Sequence, residues 1–276
     1  MDVIETIDGA LVQHGPHNDR IYLMRLQGAD PERIVSALDA LGHRKGYGKI
    51  FAKIPAPTWS TFAAAGYVKE AEIPGFFNGR TDGCFIAKFL ASERRVIPPA
   101  EVRLARLGCH CAAVAGPRRR EAQSGPMVTA CRPAHAEALS RIYHHVFKTY
   151  PFPVHQPAFL KRMMREGVRY FAVRIDGRLA AVAAAEIDPR GQYAEMTDFA
   201  TLPPYRRQGL AGILLRHMEK SIRRLGVKTA FTIARAASPG MNAVFRHNGY
   251  RYAGLLRNNT QISGRLESMT VWYKPL

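Results

Sequence analysis

Apolar positions along the chain change their spacing in a regular order, and that order predicts the elements. Alternation over 10–14 and 21–26, with the polar stretch HGPHNDR between them, predicts a hairpin. A helix follows from Pro31, where Ile34, Val35, Leu38 and Leu41 share one face and proline suits the first turn. Gly46 and Gly48 end it, and KIFAKIP (49–55) alternates as a strand. A short helix over 58–65 closes at Gly66, and strands over 67–73 and 84–90 flank the turn-rich stretch PGFFNGRTDG. The pattern restarts at Met127 with a strand and a helix from Pro133 that buries Leu139, Ile142, Tyr143, Val146 and Phe147. After the loop KTYPFPVHQPAF comes a short helix with Leu160, Met163 and Met164, then a hairpin over 169–175 and 179–187 turning at Asp176-Gly177. A strand over 194–201 turns at Leu202-Pro203-Pro204 and enters a helix. That helix carries Leu210, Ile213, Leu214, His217, Met218, Ile222 and Leu225 on one face. The chain ends as a strand over 228–234, a short helix over 239–248 and strands over 250–256 and 269–274.

Between these two series lies a stretch of different character. From about Ser92 to Gly125 it carries Pro98-Pro99 and then GPRRREAQSGP, whose arginines beside Gly and Pro read as an exposed linker. The expected organisation is therefore 1–91, a linker over 92–125, and 126–276. An internal echo connects the outer parts. Gly66-Tyr67 and Gly249-Tyr250 each end a short helix and lead into a strand, a turn-rich loop of similar length and a last strand.

Composition narrows the partners. The 40 Lys and Arg exceed 22 acids, giving +18 at neutral pH, which suits an anionic partner. Aromatic residues are not interleaved with basic runs as an RNA-stacking platform requires, so nucleic acid is not expected. Cys109-His110-Cys111 lacks a second ligand pair at metal-finger spacing, so no metal is expected, and with Cys84 and Cys131 these read as reduced thiols. No stretch has the apolar length of a membrane span, and MDVIETIDGALVQHG lacks the charged start and apolar core of a signal peptide. A cytoplasmic protein is expected.

The chemistry gathers at the corner between the strand 194–201 and its helix. Gly209 and Gly212 lie in the first turn, where a missing Cβ lets a ligand approach the backbone. Amides there lack helical partners and carry the positive end of the dipole, so the corner can hold a phosphate, with Arg206 and Arg207 at its mouth. Arg206-x-x-Gly209-x-Ala211, after the turn Pro203-Pro204-Tyr205, resembles the acetyl-CoA pyrophosphate loop of the GNAT acetyltransferases. The order of elements in the second part is also that of the GNAT fold. The resemblance implies an α+β (α/β/α) fold with a mixed central sheet, preceded by a smaller GNAT-like half domain without a coenzyme loop of its own.

It also implies site residues. Acetyl-CoA would lie along Phe199, Ala200 and Thr201, where the strand splays from its neighbour and a backbone N–H near Phe199 meets the thioester carbonyl. Its phosphates would meet Arg206, Arg207, Gln208, Gly209, Leu210, Ala211 and Gly212, while Asn242 and Phe245 would flank the pantetheine. Phe245 stands where many members carry a Tyr that protonates the leaving thiolate, which leaves that role to solvent, the departing ammonium, or Tyr205, His247 or Tyr250. Glu195 and Asp198 are the candidate general bases, on opposite faces of the strand unless a bulge intervenes, with Glu195 favoured. Longer phrases, including LVQHGPHNDRIYLMRL, GYGKIFAKIPA, VFKTYPFPVHQPAFL, MTDFAT and ESMTVWYK, resemble the β-lysine N-acetyltransferase branch of the family. That resemblance implies acetylation of the ε-amino group of β-lysine to give Nε-acetyl-β-lysine, a compatible solute. Glu186 and Glu267 are further acids for the substrate, and Tyr150, His155, Asn258 and Asn259 sit on loops that could rim its pocket. Another small amine, a protein lysine, or a degenerate acetyl-CoA-binding module are the alternatives. The expected partner is a small-molecule amine, with a homodimer left open.

Overall fold

The computed structural model describes residues 2–97, 99, 102 and 126–276. The expected linker lies mostly outside the described residues, as do Cys109, His110, Cys111 and Arg118 to Arg120.

The described residues build one 13-stranded sheet. Its first part contains β1 (Val3–Ile7), β2 (Ala10–Gly15), β3 (Arg20–Arg25), β4 (Lys49–Pro55), β5 (Val68–Phe77) and β6 (Thr81–Phe89). Helices α1 (Pro31–Lys45) and α2 (Trp59–Ala64) connect β3 to β4 and β4 to β5. The second part contains β7 (Met127–Ala130), β8 (Arg169–Ile175), β9 (Arg178–Asp188), β10 (Tyr193–Thr201), β11 (Thr229–Arg235), β12 (Arg251–Ile262) and β13 (Arg265–Pro275). Its helices are α3 (Ala136–Val146), α4 (Pro157–Arg165), α5 (Leu210–Arg223) and α6 (Pro239–His247).

The strand order is β1-β2-β3-β4-β6-β5-β12-β13-β11-β10-β9-β8-β7. Read outward from the centre, each part repeats the other. β3 and β4 are parallel neighbours joined through α1, as β10 and β11 are through α5. β4, β6 and β5 are antiparallel neighbours in the order of β11, β13 and β12. Even the irregularities match. β5 shifts register between Lys69 and Ala71 and between Ile73 and Phe77, while β12 shifts between Tyr252 and Gly254 and between Leu256 and Thr260. The echo in the sequence is thus a repeat of six strands and two helices. Among the described residues, the first part lacks only counterparts of β7, α3 and α4.

The two parts meet where β5 pairs with β12, antiparallel, at Ala71 and Gly254. These are equivalent positions in the two repeats, so the joint sits on a pseudo-two-fold axis. Only glycine fits there: a Cβ on Gly254 would lie 2.1 Å from the carbonyl oxygen of Glu70. Three consecutive carbonyls of β12 are held by cations of the first part. Lys49 donates to Arg257 O at 2.7 Å, Arg94 to Asn258 O at 2.9 Å, and Arg20 to Asn259 O at 2.5 Å. Lys49 also forms a fully buried ion pair with Glu70 at 2.7 Å, although burial lowers its pKa to about 8. The stretch expected to begin an exposed linker therefore opens with an arginine that is 3% exposed and docked into this joint.

Both stretches expected as long turns are mostly strand. PGFFNGRTDG turns only around Asn78-Gly79, and RNNTQISGR only at Ser263-Gly264. Their Gly and Asn residues serve the register shifts, with Gly75 and Asn258 at positive φ. On one face of the sheet α1 and α2 cover the first part and α5 and α6 the second. His217 and Leu225, expected inside, are exposed at the edge of α5. On the other face α3 and α4 cover only β8 to β10. The middle of that face is an aromatic floor of Tyr22, Phe51, Phe76, Phe85, Tyr193 and Phe231.

Candidate active site

The corner after β10 is open to a ligand. The first helical hydrogen bond of α5 runs from Ile213 N to Gly209 O at 3.2 Å, leaving the amides of Leu210, Ala211 and Gly212 ahead of it. Gly209 is the N-cap, in the left-handed region at φ 74, and no side chain caps it. A Cβ there would meet nothing within 4 Å. Arg206, Arg207 and Gln208 are exposed around the opening. Gly212 differs from expectation, being buried with Arg216 and Asn248 side chains 3.4 Å from where its Cβ would lie. It serves close packing, and only its amide faces the corner.

The matching corner of the first repeat is closed. Asp30 caps α1, its Oδ1 accepting from Glu32 N at 3.0 Å and Arg33 N at 2.9 Å. A carboxylate of the protein thus occupies the place where a phosphate would sit.

β10 and β11 pair only from Tyr193–Thr229 to Glu195–Phe231. Beyond that they diverge, although β10 remains paired to β9 and β11 to β13. The wedge leaves facing backbone edges from Met196 to Thr201 and from Thr232 to Arg235 without strand partners, which fits the extended polar chain of a coenzyme A arm. Phe199 sits at the wedge, packed edge-on to Phe245 at 5.6 Å between ring centres. Phe245 is 1% exposed and also meets Tyr250. Of the groups that could replace a missing acid, Tyr250 is buried, with its hydroxyl pKa pushed well up by that burial, and His247 is exposed at the end of α6. Tyr205 lies half-buried in the 3-10 turn at the mouth. Asn242 spends its hydrogen bonds inside the protein, donating to Arg235 O and Ser238 O and accepting from Thr270 and Trp272. This assigns it to holding the start of α6 and leaves no free group for a pantetheine.

A bulge brings the two candidate bases together. The β9–β10 register shifts between Thr197 and Ala200, and Asp198 takes φ 56. Ala194 and Met196 point toward α5, whereas Ala200 packs toward α3 and α4. Asp198 therefore rejoins Glu195 on the face away from α5, where simple alternation would have separated them. Glu186, the cross-strand partner of Glu195, completes the group.

Their environments are distinct. Tyr150 donates to Asp198 Oδ1 at 2.5 Å and Thr197 donates to the same oxygen at 3.2 Å, while burial still raises the Asp198 pKa. Burial raises Glu195 as well, opposed by Lys53 and assisted by Asp198. Glu186 is pushed up to about 8, by burial first and by Glu195 second. A folded-state pKa above the unfolded value means the native protein binds the extra proton. This costs nothing below the ordinary carboxylate range and increasingly destabilises the fold as pH rises toward 8. Glu186→Gln should therefore stabilise by roughly 1–2 kcal/mol at pH 9 and hardly at all at pH 4. Thermal unfolding at both values checks this; an equal gain at each would remove the buried-carboxylate account.

Glu186 and Glu195 line a cavity of about 120 Å³ over the aromatic floor. It adjoins a larger cleft of about 740 Å³ that Asp198, Phe159, Met163 and Tyr170 help to line. Tyr150 and Phe152, from the loop between α3 and α4, border the cavity. Of the other expected substrate residues, Asn259 lines it at 1% exposure. Asn258 instead donates to Arg94 O and Val96 O in the joint, and His155 is exposed outside both hollows. Glu267 is buried against Arg235 and Arg265, away from the cavity. The cavity's other contributors, Gln13, Arg20, Tyr22 and Lys53, come from the first repeat and escape sequence reasoning. One signal was available: KIFAKIP puts Lys49, Phe51 and Lys53 on one face of a strand whose other face, Ile50, Ala52 and Ile54, is wholly apolar.

The sequence profile described as the acetyltransferase (GNAT) family matches residues 134–250. A β-lysine N(6)-acetyltransferase of Methanococcus maripaludis is 34% identical over 274 residues, covering 99% of each chain. The N-acetyltransferase YodP of Bacillus subtilis is 34% identical over 277 residues, covering 97% of this chain and 96% of its own. A second β-lysine N(6)-acetyltransferase, from Methanosarcina mazei, is 29% identical over 266 residues, with 89% of this chain and 97% of its own covered.

Proposed function

The chain belongs to the GNAT family of acetyl-CoA-dependent N-acetyltransferases, and we propose that the amine it acetylates is the ε-amino group of β-lysine, giving Nε-acetyl-β-lysine. The observation that carries this is one juxtaposition. An uncapped helix start and a wedge between parallel strands open beside a cavity lined by Glu186 and Glu195, with Asp198 on the adjoining cleft. Full-length relatives named for that acceptor support the choice of amine.

When bound, acetyl-CoA supplies an acetyl group activated as a thioester. The protein's part is positioning and proton movement. The amides of Leu210, Ala211 and Gly212, with Arg206 and Arg207, hold the diphosphate. The Phe199 N–H polarises the carbonyl oxygen. Glu195, at the last paired position before the wedge, takes the proton from the attacking ammonium, directly or through a water. Its raised pKa lets it take up that proton more readily than an exposed carboxylate would. Asp198, fixed by Tyr150, attracts the substrate's positive charge. The bond from nitrogen to the acetyl carbon forms as the carbon–sulfur bond breaks, and the leaving sulfur takes its proton from solvent or from the newly bonded nitrogen, which must lose one to become the amide, since Phe245 has none to give. Acetylation removes one of two positive charges and leaves a zwitterion, a property suited to a compatible solute.

Purified protein with acetyl-CoA and a panel of amines tests the reading by thiol release. β-Lysine should be turned over with kcat/KM on the order of 100-fold above α-lysine, within the range that substrate discrimination reaches. Preference for a protein lysine or for a polyamine would overturn the acceptor, and no release with any amine would overturn the enzyme.

A further inference from the structure

The cavity's chemistry is divided between the two repeats. Gln13 pairs with Tyr22 as Glu186 pairs with Glu195, and Tyr22 pairs with Phe51 as Glu195 pairs with Phe231. Gln13 and Tyr22 are therefore the counterparts of the two glutamates, and both line the same cavity. The acids lie on one side only. In the same way Lys53, two residues after Phe51, faces Ile233, two residues after Phe231. Of the cations on the other side, Arg25 is paired with Asp188 at 2.9 Å, which leaves Lys53 and Arg20.

Neither cation has an anionic partner within ion-pair distance among the described residues. Arg20 is 5% exposed and donates only to neutral groups, Asn259 O and Thr260 Oγ1. Burial lowers its pKa to about 10. Lys53 is 9% exposed and has no hydrogen-bond partner among the described residues; its ammonium instead stands 5.1 to 5.6 Å from the ring centres of Phe231, Tyr22 and Tyr193. Rings attract a cation but accept none of its three N–H bonds well. A buried ammonium with free donors, aimed into a cavity, fits an anion that arrives with the substrate.

We propose that the first repeat is the carboxylate-reading half of the acceptor site: Lys53, backed by Arg20, binds the carboxylate of an amino-acid substrate whose amines face the glutamates of the second repeat. The inference deepens the acceptor assignment above and rests on it. It assigns the N-terminal repeat a role in specificity, since removing the carboxylate contact leaves the coenzyme corner, the wedge and Glu195 in place.

The test compares β-lysine with 1,4-diaminopentane, the same skeleton without the carboxylate. Wild type should prefer β-lysine, and Lys53→Met, which fills the aromatic cage without charge, should cut that preference by ~10- to 100-fold. The loss should appear in KM for β-lysine and exceed the change for the diamine, which feels only the field Lys53 exerts on Glu195. Lys53→Arg, which keeps the charge, should retain most of the preference and guards against a folding defect in the Met variant. An equal fall on both substrates, or an unchanged ratio, overturns the carboxylate site while leaving the acetyltransferase reading intact. A wild type that prefers the diamine overturns both it and the β-lysine acceptor.

Discussion

Glu195→Gln is expected to lower kcat by roughly 10²–10⁴-fold, the usual worth of a positioned general base, with little change in KM for acetyl-CoA. The side chain is nearly isosteric and lies in the acceptor cavity, away from the phosphate corner, so coenzyme binding should not register the change. A second signature separates proton removal from a structural effect. Without a base the reaction depends on amine already free, so the variant's rate should climb about tenfold per pH unit toward the amine's own pKa near 10. The wild type should level off earlier, once Glu195 is ionised. If Glu195→Gln keeps most of its turnover and Asp198→Asn loses it, the base is Asp198. The Tyr150 hydroxyl on Oδ1 is the reason to expect otherwise, because it already occupies the oxygen best fixed in place.

Gly209→Asp should raise KM for acetyl-CoA on the order of 100-fold, through loss of the dipole-assisted phosphate site and like-charge repulsion. The molecule already contains the precedent in Asp30, whose carboxylate satisfies the first amides of α1. Aspartate tolerates the left-handed backbone that position 209 requires better than most residues, at φ 74. Its capping bond also returns about 1 kcal/mol to the helix, so the variant should remain folded. Gly209→Ala is the control, sharing the backbone strain without the charge. Coenzyme titration and thermal unfolding of both variants decide the matter. Equal affinity in the two would mean that the diphosphate binds elsewhere.

The corner was legible because its determinants are local. Pro203-Pro204, Arg206 and Gly209 fall within one turn of each other, and the apolar face of α5 is periodic. The repeat was also partly legible, from Gly66-Tyr67 and Gly249-Tyr250. What stayed hidden depends on distant pairing or on a single backbone angle. Period-2 reasoning separates Glu195 from Asp198, and only the positive φ at Asp198 reunites them. PGFFNGRTDG and RNNTQISGR read as loops because Gly and Asn disfavour strands, yet pairing with β6 and β13 holds them extended around register shifts. Lys53 is adjacent to no motif; its meaning comes from three rings that belong to β3, β10 and β11.

The meeting of Ala71 with Gly254 has a final consequence. Two identical subunits joined along this edge would present the same groups on both banks of the trough between them, and such a pocket cannot tell one end of a guest from the other. Carrying both copies on a single polypeptide frees each bank to mutate alone. A trough with a negative shore and a positive one, able to orient a molecule that is itself polarised end to end, is open to the fused chain and closed to its symmetric counterpart.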